Sequence, residues 1–218
     1  MKLVSLNVGL PRLVSWRGET LKTGIFKNPV SGRVRVRQTN LDGDRQADLS
    51  VHGGPLKAVY GYASEHYAYW RGELPQEALP WGAFGENFTT EGMLENALRI
   101  GDRFRVGSAV IAVSTPRLPC YKLAAKFQRD DMIARFLQSG FSGFYFSVAE
   151  EGEAGAGDEF QFLGGETPTL TVAEVNLLYV SPAADRDLLR RSLDVKSLPV
   201  SWRERFQAKL ETPRPESD

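Results

Sequence analysis

The chain has 218 residues, 42% of them apolar, with 27 basic and 27 acidic side chains and no formal net charge. That is enough apolar material for one large domain, or one domain with a small appendage, and too much for wholesale disorder. A chain without cationic surplus is poorly suited to a nucleic-acid polymer, whose phosphates demand one.

Residues 1–7 lack the apolar core of a secretory leader, and no stretch approaches the ~18 unbroken apolar residues of a membrane span. The expectation is a cytoplasmic protein with no membrane partner. One cysteine, Cys120, and two histidines, His52 and His66, make up the whole supply of soft and imidazole ligands. An intramolecular disulfide, a cysteine-held iron–sulfur cluster, a zinc knuckle and a His-rich metal site are therefore excluded. Redox work would draw its electrons from a separate partner.

In chain order, short apolar runs broken by glycine predict many short strands up to about residue 165. Residues 34–38 alternate with period two. Residues 64–72 read as a helix. Runs 98–100, 103–106 and 109–113 are separated by Gly101-Asp102 and Gly107-Ser108, which predicts consecutive antiparallel strands. Residues 121–139 read as helix broken near Asp130. Strands follow at 144–148 and 159–163, with the glycine-rich 152–157 as their connection. The segment 164–168 reads as a linker. Beyond it the pattern turns helical, with capping boxes at Thr171–Glu174 and Ser201–Glu204, a stop at Pro182 and a start near Asp185. The predicted fold is mainly β with α: a β-rich domain over 1–165, and a small C-terminal three-helix domain with a polar tail over 166–218.

Four clusters could carry chemistry. Gly43-Asp44-Arg45-Gln46-Ala47-Asp48 leads to His52-Gly53-Gly54-Pro55-Leu56-Lys57, where paired glycines let backbone approach a ligand and His52 and Lys57 offer donors. On composition alone, a tight turn with solvated charges is the plainer reading. Gly85-Glu86-Asn87 places an acceptor and an amide at one bend, or forms only an Asx-type turn. Thr115-Pro116-Arg117-Leu118-Pro119-Cys120-Tyr121-Lys122 holds the thiol between rigid prolines and a helix start. That start, with Arg117 and Lys122, favours a thiolate, a soft ligand for a sulfur-loving metal. The alternative is a small buried hydrophobe. The aromatic set Tyr60, Tyr62, His66, Tyr67, Tyr69 and Trp70 is read as core packing. No phosphate-binding P-loop, dinucleotide turn, nucleophile elbow or zinc-protease pair is present.

Taken in one order, Gly43-Asp44, His52-Gly53-Gly54, Lys57-Ala58-Val59, residues 65–70, Phe84-Gly85-Glu86-Asn87, Gly101-Asp102 and Pro116-Arg117…Pro119-Cys120-Tyr121-Lys122-Leu123 resemble the MOSC family (molybdenum-cofactor sulfurase C-terminal domain) in its YiiM-like branch. The resemblance covers most of residues 1–165, and the helical tail is similar to that branch's three-helix appendage. It implies a barrel-like β fold that binds the molybdenum cofactor, molybdopterin, with Cys120 as the metal's ligand. Arg117, Lys122, Glu86, Asn87, His52, Lys57, Gly53 and Gly54 are implied as pocket residues, and His52, whose imidazole titrates near neutrality, is the candidate proton donor. Leu56 stands where relatives often carry an acidic residue. The implied reaction is reduction of N-hydroxylated compounds, such as N-hydroxylated purine bases, to amines, with electrons from a separate reductase. The alternative is a carrier that delivers the cofactor, or sulfur as a Cys120 persulfide.

Overall fold

Alternating apolar and polar residues, punctuated by glycine turns, give a strand-rich chain. The computed structural model describes residues 1–47 and 53–212. Strands β1 (Lys2–Val8), β2 (Arg12–Trp16), β3 (Glu19–Thr23), β4 (Asn28–Pro29), β5 (Arg33–Val36) and β6 (Val59–Ala63) precede helix α1 (His66–Glu73). Then come β7 (Phe88–Glu91), β8 (Arg103–Val106), β9 (Ala109–Pro116), helices α2 (Tyr121–Phe127) and α3 (Met132–Ser139), β10 (Phe144–Glu150), β11 (Gly152–Gly155) and β12 (Phe160–Gly164). Helices α4 (Val172–Val180), α5 (Arg186–Leu193) and α6 (Val200–Glu211) follow.

Eight strands form one mixed sheet in the order β12-β8-β9-β10-β6-β7-β1-β4, in which only the β6–β7 pair is parallel. The sheet curls until its far ends touch. Lys2 bridges to Glu159, and the Leu3 N–H donates to the Asp158 carbonyl at 2.8 Å. The barrel is therefore approached but not closed by a ladder, because the opposite end of β1 pairs with β4 at Asn7 and Val8. Phe88, Phe104, Phe144, Phe146 and Phe160 fill the interior. A second core holds Tyr62, Tyr67, Trp70, Phe84 and Phe136, where the buried Trp70 indole donates to the Tyr62 hydroxyl at 2.6 Å. The aromatic set is thus core, except that Tyr69 is exposed and Tyr60 has a second role described below.

Three expectations are corrected. Residues 98–100 form no ladder strand. Gly101, at φ +88°, turns the chain, and Arg99 bridges only to Thr171, so the segment ties the sheet to the helices. The glycine-rich 152–157 is more than a connection, since Gly152–Gly155 pairs with β5. Gly152 passes so close to the β8–β9 turn that a Cβ there would meet the Ala109 nitrogen at 2.4 Å. The capping box at Thr171 is present in both halves, but Ser201 caps nothing. Pro199, with its pre-set φ, occupies the N-cap and starts α6 earlier.

Leu170, Val172, Val175, Leu178, Leu189 and Phe206 join the same apolar cluster as Leu98, Ile100 and Ile111 of the sheet side. No helix among the described residues is long and apolar enough to cross a membrane.

Candidate functional site

The loops between β3 and β4, before β6, before β7 and between β9 and α2 converge on one cleft. It encloses about 670 Å³, its open mouth included, within the usual range for small-molecule sites. Cys120 sits on its wall as the N-cap residue of α2 in an extended conformation (φ −130°, ψ 170°), half-buried, with its side chain making no capping bond. Arg117 and Lys122 line the same wall, both buried. Lys57, on the 3-10 turn Pro55–Lys57, and Gly53 line another. Gly54 is not on the lining; at φ +82° it opens the turn that carries Lys57. His52 lies outside the described residues.

Arg117 enters the cleft between two aromatic rings. Its guanidinium carbon is 5.2 Å from the Tyr60 centroid and 5.0 Å from that of Phe136. Burial acts against its charge, but Tyr60, Tyr145 and Cys120 act for it and prevail, so its proton is held more tightly than usual. The residue is 5% exposed, yet its Nη1 has no hydrogen-bond partner. A buried guanidinium N–H without an acceptor is costly.

Asn87 lines the cleft, but its amide is largely committed. Oδ1 accepts the Tyr60 N–H at 3.1 Å, and Nδ2 donates to Asp44 at 3.0 Å and to the Asn7 carbonyl at 3.2 Å. Glu86 points away from the cleft, contrary to the expected pocket role. Its carboxylate is wholly buried and accepts the Gly82 N–H (2.7 Å), the Phe84 N–H (3.1 Å), the Thr89 hydroxyl (3.0 Å) and the Tyr67 hydroxyl. Burial raises its pKa, and the Tyr67 and Gly82 donors and the charge of Lys126 oppose the rise. Its work is to hold the turn that presents Phe84, Gly85 and Asn87.

Three lining groups, Tyr60, Tyr145 and Lys27, had no functional signal in the sequence. Tyr60 is buried and Tyr145 half-buried; both phenols have pKa raised by desolvation, and both line the cleft. Tyr60 lay hidden in a run read as core. Lys27 belongs to no motif, whereas its partner Asp44 stands in the Gly43-Asp44 motif of the family resemblance. The two form an ion pair whose side chains are 8% and 1% exposed. Burial lowers the Lys27 pKa, and Asp44 partly restores it. Asp44 also accepts the Gly9 N–H at 2.9 Å. Gly24 allows this corner to form, since a Cβ there would lie 2.4 Å from the Arg45 carbonyl oxygen.

Comparison with known proteins matches residues 48–161 to the MOSC domain and residues 170–212 to the YiiM-like, 3-alpha helix domain. YflK of Bacillus subtilis (strain 168) is 40% identical over 207 residues, 95% of this chain and 93% of that protein. The crystal structure of YiiM from Geobacillus stearothermophilus superposes with a TM-score of 0.79 at 33% identity, covering 96% of this chain and 98% of the other. A protein of Gibberella moniliformis (strain M3125 / FGSC 7600) named Reductase is 34% identical over 161 residues, 72% of this chain but 28% of that longer one. With both parts of the chain matched in order and a near full-length relative at this identity, the chain belongs to the MOSC-domain family, in the branch that carries the YiiM-like 3-alpha helix domain.

Proposed function

We propose that this chain is a molybdenum-cofactor-dependent oxidoreductase that reduces N-hydroxylated compounds, such as N-hydroxylated purine bases, to amines. The observation that carries the reading is one cleft lined by both Cys120 and Arg117, a buried cation whose Nη1 has no hydrogen-bond partner. Among the described residues no three His, Cys, Asp or Glu side chains cluster as a metal site. A metal held by Cys120 would therefore be brought by an organic group with donors of its own. A thiol beside a buried cation needing an acceptor fits a cofactor that carries both a soft metal and a phosphate.

When bound, the cofactor supplies two-electron removal of an oxygen atom. The chain's own residues do the rest. Cys120 contributes the protein sulfur, Arg117 and Lys122 take the phosphate, and Lys57, Asn87 and the Gly53 backbone orient the rest of the ligand. Tyr60, Tyr145 and Phe84 offer ring faces and edges to a flat substrate. The overall change, R–NHOH with two electrons and two protons giving R–NH2 and water, needs a proton donor. His52, the residue before cleft-lining Gly53, is the proposed one, since imidazole titrates near neutrality. Electrons come from a separate reductase. The fungal relative supports this arrangement, since the segment it shares with this chain is a minor part of a longer protein named Reductase.

Molybdenum content and N-hydroxylamine reduction, measured with an electron donor for the wild type and Cys120→Ala, test the reading. The expected result is multiple turnovers in the wild type and loss of both metal and turnover in the variant. Full loading and turnover in Cys120→Ala would end it, and a wild type limited to one equivalent would mark a cofactor or persulfide carrier instead.

A further inference from the structure

Beyond the Lys27 side of the cleft lies a second cavity of about 620 Å³, its opening included, with Lys27 lining both. Arg12, Lys27 and Lys126 border it, against one carboxylate, that of Glu77. Two of the cations gather on Phe26: the Arg12 guanidinium carbon stands 3.4 Å from the ring centroid and the Lys126 Nζ 5.3 Å.

Part of this charge is already answered. Lys27 pairs with Asp44, and Lys126 donates to the carbonyls of Ile25 (3.2 Å) and Gly82 (2.9 Å). Carbonyls satisfy donors but cancel no net charge. Glu86 is the carboxylate acting on Lys126, and its oxygens already serve four other donors. Stitching the Ile25 and Gly82 loops together explains the two bonds of Lys126. It does not explain why Arg12 lies at the rim of an open cavity that collects like charges.

We infer that this second cavity binds a phosphate-class oxyanion, a phosphate or diphosphate group, seated between Arg12 and Lys126 with Lys27 behind. Like charges around a partly enclosed space repel one another, and an anion converts that repulsion into attraction. The group is carried on a free small molecule, since Arg117 and Lys122, which take the cofactor's phosphate, line the cleft and not this cavity. The inference does not depend on what the cleft catalyses.

Binding has a proton signature. Burial pushes the Lys126 pKa down to about 8; Glu86 opposes the shift, while Lys27, Arg12 and Arg117 deepen it. Glu77 faces the same space. An added anion favours protonated Lys126, so near pH 8.5 binding takes up a proton.

The test is calorimetric titration of the full chain, purified free of cofactor, with inorganic phosphate and with pyrophosphate in buffers of different ionisation enthalpy. Expected are saturable binding with proton uptake, affinity about tenfold weaker in Arg12→Gln, and loss of proton uptake in Lys126→Met. Arg12 is exposed, so its variant folds even if that of Lys126 does not. In cofactor-loaded protein the probe is expected to bind as before; its loss there would put the anion on the cofactor's own site and overturn the inference. Absence of saturable binding overturns it. So does binding that Arg12→Gln leaves intact and Arg117→Met abolishes, which would put the anion in the cleft.

Discussion

Arg117 shows how burial changes what a side chain is for. A guanidinium on the surface would satisfy its five donors with water, but between Tyr60 and Phe136 it has few acceptors and leaves one nitrogen without any. A lysine there would keep the charge and lose the planar fork. Arg117→Lys is expected to stay folded and to retain cofactor at least about tenfold more weakly, read as pterin and molybdenum per chain after gel filtration. Lys126 makes a prediction in pH. Its folded pKa, about 8, lies below the ordinary 10.5. Between those values the unfolded chain binds more protons than the folded one, so the contribution of this group to stability rises with pH across that window. Urea midpoints followed from pH 7.5 to 10 in wild type and Lys126→Met check it: the variant's curve loses that upward component.

Among the elements, short helices are set by their ends more than by length, because a nucleus is costly and few turns repay it. α4 has a complete capping box, with the Glu174 N–H donating to the Thr171 hydroxyl at 3.1 Å and the Thr171 N–H to the Glu174 carboxylate at 2.7 Å. Thr171→Ala is expected to lower unfolding free energy by about 1 kcal/mol, measured by denaturant. On the cleft side, a buried pair grips the loop before β10 from behind. His66 Nε2 lies 2.8 Å from Glu95, whose other oxygen accepts the Gly143 N–H at 2.7 Å. The Gly143 carbonyl in turn accepts the Arg117 N–H at 3.2 Å. The backbone that carries Arg117 is thus anchored through α1, an element with no residue in the cleft.

For the whole molecule, the sheet and the three C-terminal helices share one apolar core. Leu170, Val172, Val175 and Leu178 cover Leu98, Ile100 and the β9 side of the sheet. A chain cut at residue 165 would expose that surface to water, at roughly 25 cal/mol per Å² of apolar area. The truncated chain is expected to lose cooperative unfolding or to associate, which near-UV circular dichroism and light scattering against the intact chain would show. Retention of a sharp, monomeric transition would mean that the helices merely dock.

What the sequence determined by itself was local. Glycine dipeptides at 101–102 and 107–108 bound β8 and mark the start of β9, Thr171 and Asp185 cap α4 and α5, and a single cysteine after two prolines limits the soft-ligand supply to one sulfur. Each rests on neighbours within a few residues, where backbone preference and side-chain capping act. The tertiary structure decided the rest. It turned Glu86 inward onto its own bend, made Tyr60 a wall of the cleft as well as core, and paired Lys27 with Asp44 across 17 residues of chain. Burial and long-range pairing depend on which surfaces meet once the sheet has curled, and no local pattern of residue types records that.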